Sequence, residues 1–178
     1  QHTNPELISP TAQKAKYQIK NTESGESQKT MISRLHLDWG KAYKTLLKRC
    51  RLKKIKFLTS GFSSDDFFIV NKLKLDFIKI PSGEIVNTQL LETISKTNKK
   101  ILLSTGMANI KEIRDALKIL TKYNSSKKIT LLHCTSEYPT NFKDVNLQSI
   151  AFLRKKFKIA VGFSDHSLGI EAPIAAVA

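Results

Sequence analysis

Residues 77–84 read FIKIPSGE, an apolar run followed at once by a turn of small and polar residues. An apolar run that does not alternate with polar residues is typical of a strand buried on both faces of a parallel sheet. The sequence therefore predicts a strand over Phe77–Ile80. Its carboxyl end would carry the Ser-Gly-Glu turn of residues 82–84 to one edge of that sheet.

The same arrangement recurs along the chain. Four further apolar runs, rich in leucine and β-branched residues, predict strands at Ile55–Thr59, Ile101–Leu103, Ile129–Leu132 and Ile159–Val161. Helical patterns lie between the runs. In Asn109–Tyr123 the apolar residues share one face, and Asn109 and Glu112 occupy capping-box positions. Alternating strands and helices predict parallel strands that are joined by right-handed crossovers.

Each predicted strand is followed by small and polar residues, and four of the seven glycines lie in these segments. In a (β/α)8 barrel the carboxyl ends of all strands converge on the face that holds the active site. An open doubly wound sheet places its ligand mainly at one switch point. Small and polar residues at five strand ends therefore favour the barrel. Because a complete barrel takes about 250 residues and eight strands, we expect an incomplete TIM barrel of about five βα units, which lacks the first two strands and the last strand.

The composition excludes several classes of protein. The chain has 178 residues, of which 40% are hydrophobic, enough for one sizeable core. Its two cysteines are too few for a secreted disulfide framework. No apolar stretch approaches the roughly 20 residues of a membrane span, and no signal-peptide pattern is present. We expect a cytoplasmic protein without a membrane partner.

The chain is strongly basic, with 30 Lys and Arg against 15 Asp and Glu and a net charge of +15. Eight of the cations lie within residues 41–56. Nucleic-acid binders carry such clusters, but usually together with aromatic residues that stack on bases. Only Tyr43 and Phe57 are interleaved here, so a solvated helix face is favoured. A basic domain that binds nucleic acid or an acidic polysaccharide without catalysis remains the alternative.

The strand over Phe77–Ile80 contains a lysine, Lys79. A buried lysine is costly unless it faces a wet site that holds an anion; the alternative is an ammonium group that reaches solvent at the strand end. Glu84, just past the turn, is a candidate acid or base. The alternative interpretation of Glu84 is a carboxylate that stabilises the start of a helix.

Other polar residues recur at the strand ends. Ser82, Ser104 and Ser164 hold corresponding positions, where hydroxyls and backbone N–H groups can bind phosphate oxygens; each alone is an ordinary turn serine. His166 is a candidate metal ligand or general base, and equally a polar loop residue. For His133 a hydrogen-bonded core position is favoured over catalysis, and Cys134 is interpreted as a buried small side chain.

Four motifs in order carry a resemblance to a known family: KIPSGE at 79–84, STGMA at 104–108, LLHCTSEYP at 131–139 and GFSDHS at 162–167. They resemble the sialic acid (nonulosonic acid, N-acetylneuraminate/legionaminate-type) synthase family. The resemblance implies condensation of phosphoenolpyruvate with an N-acetylated aminosugar, N-acetylmannosamine or a related 2,4-diacetamido sugar, and release of phosphate. It also implies a divalent metal, Mn²⁺ or Mg²⁺, that polarises the sugar aldehyde.

The resemblance also implies roles for individual residues. Those that would hold phosphoenolpyruvate are Lys79, Ser82, Ser104 and Ser164. Ser136 stands where some members have an asparagine that contacts the phosphate. Lys79 and Glu84 would be the catalytic residues, with Glu84 as acid or base near C2 and C3 of the substrate. Tyr138 would contact the aminosugar, and His166 would be one of two metal-binding histidines.

The resemblance covers nearly the whole chain, so we expect residues 1–178 to be a partial TIM-barrel catalytic domain without the small C-terminal domain of the family. Where the family usually has Ser-Thr-Pro-Phe, residues 59–62 read TSGF, and a glycine in place of proline adds unfolded-state entropy. We expect this piece alone to be inactive and the full-length protein to form a homodimer.

Overall fold

The structure is a computed structural model that describes residues 4–22 and 25–178. The chain divides between Leu73 and Lys74 into two compact units. In the first unit the helices are α1 (Lys16–Asn21), α2 (Gln28–Arg34), α3 (Trp39–Leu52) and α4 (Ser64–Lys72). The elements of the second unit are β1 (Phe77–Ile80), α5 (Thr88–Ser95), β2 (Lys100–Ser104), α6 (Ile110–Thr121), β3 (Ile129–His133), α7 (Gln148–Phe157), β4 (Ala160–Phe163) and α8 (Glu171–Val177).

The second unit is built on a parallel sheet whose four strands lie in the order β1-β2-β3-β4. Sequential neighbours that pair in parallel require a crossover between them, and α5, α6 and α7 provide the three crossovers. The predicted strand over Phe77–Ile80 is confirmed at both ends, and three other predicted strands agree within two residues. The predicted parallel α/β class is therefore confirmed.

The fifth predicted strand, Ile55–Thr59, is wrong. This segment carries no regular secondary structure, and its apolar side chains are poorly buried, with Ile55 61% and Leu58 41% exposed. A short apolar run becomes a strand only when other strands pair with it. None of the four strands of the described sheet includes this segment as a partner, so the sheet has four strands where the sequence predicts five.

The prediction that the strands are buried on both faces is only half correct. Successive side chains of a strand point to opposite faces. On one face the side chains of Ile80, Ile101 and Leu131 are fully buried, whereas Lys79 and Leu102 on the other face are half-exposed. Of the described elements, α7 packs on β3 and β4, and α5 packs against α6. The face that carries Lys79 is therefore the less buried one.

Helix α6 forms as the sequence predicts, because its first turn is capped from both directions. The Asn109 carboxamide oxygen accepts the backbone N–H groups of Lys111 and Glu112, and the Glu112 carboxylate accepts that of Asn109 at 2.8 Å. Ile113 and Leu120 bury the inner face of the helix. Among the described residues, no helix has the length and apolarity needed to cross a membrane.

Candidate functional site

The candidate site lies at the carboxyl edge of the sheet in the second unit, where the turns after β1 to β4 meet. The strand ladder continues into these turns. The backbone N–H of Thr105 donates to the carbonyl of Leu132 at 3.0 Å, and that of Ser164 donates to the carbonyl of His133 at 2.8 Å. These bonds tie the turns after β2 and β4 to β3, and the parallel register brings the polar side chains that follow β1 to β4 to one edge.

Gly106 brings two of these side chains together. It has a positive φ of 47°, and a Cβ atom added there would lie 2.5 Å from the Cβ of Ser82 and 2.8 Å from the Oγ of Ser136. The hydroxyl of Ser82 lies 2.7 Å from the same point. The two serines, which follow β1 and β3, therefore converge over the turn that follows β2.

Ser104 ends β2 and is only 2% exposed. Its hydroxyl is buried and has no hydrogen-bond partner within the described part of the chain. A buried polar group without a partner is destabilising by about 1–3 kcal/mol, and such groups in native proteins call for an explanation. An oxygen of a bound anion would provide the missing partner.

Lys79 lies on β1, on the same face of the sheet as Leu102, which is the less buried face. Its ammonium group donates to the carbonyl of Ile80 at 3.4 Å, and within the described residues it forms no ion pair. Burial lowers the pKa of Lys79 from its ordinary value, and the nearby Cys134 partly opposes this shift. A partly desolvated cation without a carboxylate partner is suited to bind an anion.

Glu84 lies in the 3₁₀ turn Ser82–Glu84 and is held by a residue that the sequence analysis missed. One oxygen of its carboxylate accepts a hydrogen bond from the Asn87 amide at 2.7 Å. Asn87 in turn caps α5, because its side-chain oxygen accepts the backbone N–H of Leu90 at 3.1 Å. Asn87 is recognisable in the sequence as an N-cap before an apolar run, but its contact with Glu84 depends on the turn geometry.

Tyr138 and His166 form a stacked pair. Their rings lie 4.0 Å apart, and the imidazole Nδ1 lies 2.6 Å from the carbonyl oxygen of Thr135. Because a carbonyl oxygen only accepts, Nδ1 carries the proton and Nε2 carries the lone pair. The Tyr138 hydroxyl therefore donates to Nε2 at 2.9 Å. The contact with Thr135 is a backbone contact that no side-chain pattern reveals.

Two other residues of the motifs belong to the core. His133 is buried, lies with Nε2 2.7 Å from the carbonyl oxygen of Val145 and stacks on the ring of Phe163. The predicted hydrogen-bonded core position of His133 is confirmed. Cys134 is buried, as predicted, and carries a free thiol.

A divalent metal fits the donor set at this edge in part. His166 is oriented through Nδ1 by a carbonyl, which is the usual arrangement of a metal-binding histidine, but the Tyr138 hydroxyl occupies its Nε2 lone pair and a metal would have to displace it. In residues 4–22 and 25–178, however, no three His, Cys, Asp or Glu side chains cluster into a metal site. Within this range His166 can therefore supply one ligand of a metal site.

Comparison with known proteins identifies the family of the chain. A profile of the NeuB family matches residues 1–178. The N,N′-diacetyllegionaminic acid synthase of Campylobacter jejuni is 48% identical over 172 residues, which are 96% of this chain and 51% of that protein. The enzyme of the same name from Legionella pneumophila is 36% identical over 174 residues, which are 96% of this chain and 49% of that protein.

A solved structure is similar as well. The crystal structure of the N-acetylneuraminic acid synthetase of Leptospira borgpetersenii, in complex with citrate, has a TM-score of 0.78 and 31% identity. The match covers 89% of this chain and 55% of that one. The predicted fold class, α/β of the TIM-barrel type, is thereby confirmed. The chain spans about half the length of the curated relatives it matches.

Proposed function

Because the chain belongs to the NeuB family, we propose that its protein condenses phosphoenolpyruvate with an N-acetylated aminosugar to form a nonulosonic acid and phosphate. The observation that carries the proposal is the carboxyl edge of the sheet, where Ser82 and Ser136 converge over Gly106 beside the unpartnered hydroxyl of Ser104. Hydroxyls from three strand ends form a site for the oxygens of one anion.

We propose a 2,4-diacetamido sugar as the aminosugar, with N-acetylmannosamine as the second candidate. Two relatives that match 96% of the chain are N,N′-diacetyllegionaminic acid synthases, and this supports the first choice. The structure with a similar fold is named for N-acetylneuraminic acid, which supports the second. Both sugars present an aldehyde in the open-chain form, so the same chemistry serves either.

The phosphate group of phosphoenolpyruvate is assigned to Lys79 and the serines. The Lys79 ammonium supplies the charge, and Ser82, Ser104 and Ser164 supply hydroxyl donors at the strand ends. Ser136, which the sequence analysis aligned with a phosphate-contacting asparagine of some members, joins Ser82 over Gly106. Donors fixed by the sheet stabilise the charge of the departing phosphate without reorganising, which is the main source of catalysis in such sites.

Glu84 is assigned the proton transfers. In the proposed reaction C3 of phosphoenolpyruvate attacks the aldehyde carbon of the sugar, and the aldehyde oxygen takes up a proton to become a hydroxyl. Water adds at C2 and loses one proton; the resulting C2 hydroxyl then loses its proton and becomes the carbonyl as the C2–O bond to phosphate breaks. The water must lose a proton and the departing oxygen must be stabilised, and Glu84 follows Lys79 and Ser82 on the same turn. Its hydrogen bond with Asn87 occupies one carboxylate oxygen and leaves the other for the substrate.

Tyr138 and His166 are assigned to the aminosugar side of the site. The half-exposed Tyr138 ring covers His166 and would contact the sugar, while its hydroxyl is hydrogen-bonded to Nε2 of His166. His166 would hold Mn²⁺ or Mg²⁺ together with ligands from outside the described residues. When bound, the divalent metal acts as a Lewis acid on the aldehyde oxygen. We also propose a cytoplasmic location, with which the two free thiols agree, and a homodimer for the full-length protein.

The experiment is an assay of phosphate release by the protein expressed from its complete reading frame. Phosphoenolpyruvate and Mn²⁺ are supplied with N-acetylmannosamine or with a 2,4-diacetamido sugar. We expect release that depends on the aminosugar and on the metal, and that is faster with the diacetamido sugar. Absence of release with either sugar would contradict the proposed function, and tight salt-dependent binding of nucleic acid would favour the basic-domain alternative.

A further inference from the structure

We propose that Gly106 is a positioning residue for the substrate phosphate, because the space left by its missing side chain is where the hydroxyls of Ser82 and Ser136 meet. This inference rests on the proposed function and adds to it a residue with no functional group of its own. It predicts that a single methyl group at this position selectively weakens the binding of phosphoenolpyruvate.

The geometry around Gly106 permits no side chain. A Cβ atom would lie 2.5 Å from the Cβ of Ser82, 2.7 Å from its Oγ and 2.8 Å from the Oγ of Ser136. The first contact involves a carbon bonded directly to the backbone, so a rotamer change of Ser82 does not relieve it. Either the turn Ser82–Glu84 or the turn that carries Gly106 must move.

The displacement would act on binding because both turns belong to the anion site. Ser82 lies on the same turn as Glu84, and Gly106 lies two residues after Ser104, whose buried hydroxyl has no partner. Moving the turns apart separates hydroxyls that must contact one phosphate group together. Misplacement of such groups by even about 1 Å lowers the rate by about a hundredfold.

Gly25 separates this effect from the backbone strain that an alanine causes at positive φ. Gly25 has a positive φ of 85°, but a Cβ atom there would have nothing within 4 Å. Alanine at Gly25 therefore causes backbone strain without a clash.

The test compares Gly106→Ala with the control Gly25→Ala in the protein from the complete reading frame. Steady-state kinetics give KM for each substrate, and inorganic phosphate serves as a competitive inhibitor. For Gly106→Ala we expect about a tenfold or larger increase in KM for phosphoenolpyruvate and in the inhibition constant of phosphate. KM for the aminosugar stays within about twofold, and Gly25→Ala keeps all three constants near wild type.

A second pair of variants serves if Gly106→Ala does not fold. Asparagine tolerates positive φ better than alanine, so Gly106→Asn keeps the clash with less strain. The double variant Gly106→Ala with Ser82→Gly removes the clashing carbon. It is expected to recover the melting temperature of the Gly25 control but not the KM for phosphoenolpyruvate.

Three results would overturn the inference: a folded Gly106 variant with unchanged KM for phosphoenolpyruvate, equal increases in both KM values, or a double variant as unstable as Gly106→Ala. A wild-type protein that releases no phosphate would contradict the proposed function instead.

Discussion

Two turns of this chain have nearly the same sequence and different roles. Residues 59–62 read TSGF and residues 104–107 read STGM, and each turn follows an apolar run. Only the second run is a strand, since β2 pairs with β1 on one edge and β3 on the other. The local sequence specifies a turn in both places. Whether the preceding run pairs as a strand decides whether the side chains of the turn lie at the edge of the sheet.

The glycines of the two turns make the difference concrete. At Gly61 a Cβ atom would lie 2.7 Å from the Cβ of Asp66, whose carboxylate accepts the backbone N–H of Phe62 at 3.1 Å. That glycine makes room for the start of α4. At Gly106 the neighbours are the hydroxyls of Ser82 and Ser136. In the first turn the glycine allows a structural hydrogen bond to form, and in the second it allows two serine hydroxyls to approach each other.

The largest expected effect concerns Glu84, whose turn meets the STGM turn where Ser82 lies against Gly106. Glu84→Ala is expected to lower kcat for phosphate release by about a hundredfold or more, because it removes the group to which we assign the proton transfers. The melting temperature should change little, since Glu84 is half-exposed. Glu92→Ala, at an exposed position of α5, is the matched control. An unchanged kcat in Glu84→Ala would show that the role assigned to this carboxylate is wrong.

A smaller effect distinguishes adjacent residues of the STGM turn. Ser104→Ala removes a buried hydroxyl that has no partner, so stability should be unchanged or rise while KM for phosphoenolpyruvate rises about tenfold. Thr105→Val removes a hydroxyl that donates to the carbonyl of Leu132 at 3.2 Å, and should cost about 1 kcal/mol of stability. Urea unfolding and kinetics measure both. A loss of stability in Ser104→Ala with unchanged KM would mean that its hydroxyl has a structural role.

The last effect belongs to the TSGF turn and changes stability without changing the kinetic constants. Gly61→Ala forces a contact with the Cβ of Asp66 and should cost about 1–3 kcal/mol of stability, as overpacking does. Urea unfolding of this variant measures the cost, and Gly40→Ala, whose nearest contact is the Asp38 carboxylate at 3.3 Å, is the control. Wild-type stability of Gly61→Ala would remove the contrast between the two glycines.

Much of the second unit could be predicted from the sequence because local and tertiary signals agree there. The apolar run alone predicts the strand Phe77–Ile80. Helix-end chemistry alone predicts the capping box of Asn109 and Glu112. The strand predicted at Ile55–Thr59 failed because an apolar run does not reveal whether a neighbouring strand pairs with it.

The residue types of the candidate site could be predicted from the sequence, but the contacts between those residues could not. Lys79, the serines and His166 stand out at strand ends in the sequence. The roles of Gly106, Asn87 and the Thr135 carbonyl depend on distances between turns that are separated along the chain. Such contacts appear only when the strands are in register.

The central claim, that the carboxyl edge of this sheet binds the phosphate of phosphoenolpyruvate through Lys79, is tested most directly by calorimetric titration of phosphoenolpyruvate without an aminosugar. The wild-type protein is compared with Lys79→Ala and with Lys118→Ala, an exposed lysine on α6. We predict binding by wild type and Lys118→Ala, and affinity at least about tenfold weaker in Lys79→Ala. Because burial lowers the pKa of Lys79, wild-type affinity should decline with rising pH before the ordinary lysine value of about 10.4 is reached. Equal affinity of all three proteins would contradict the claim.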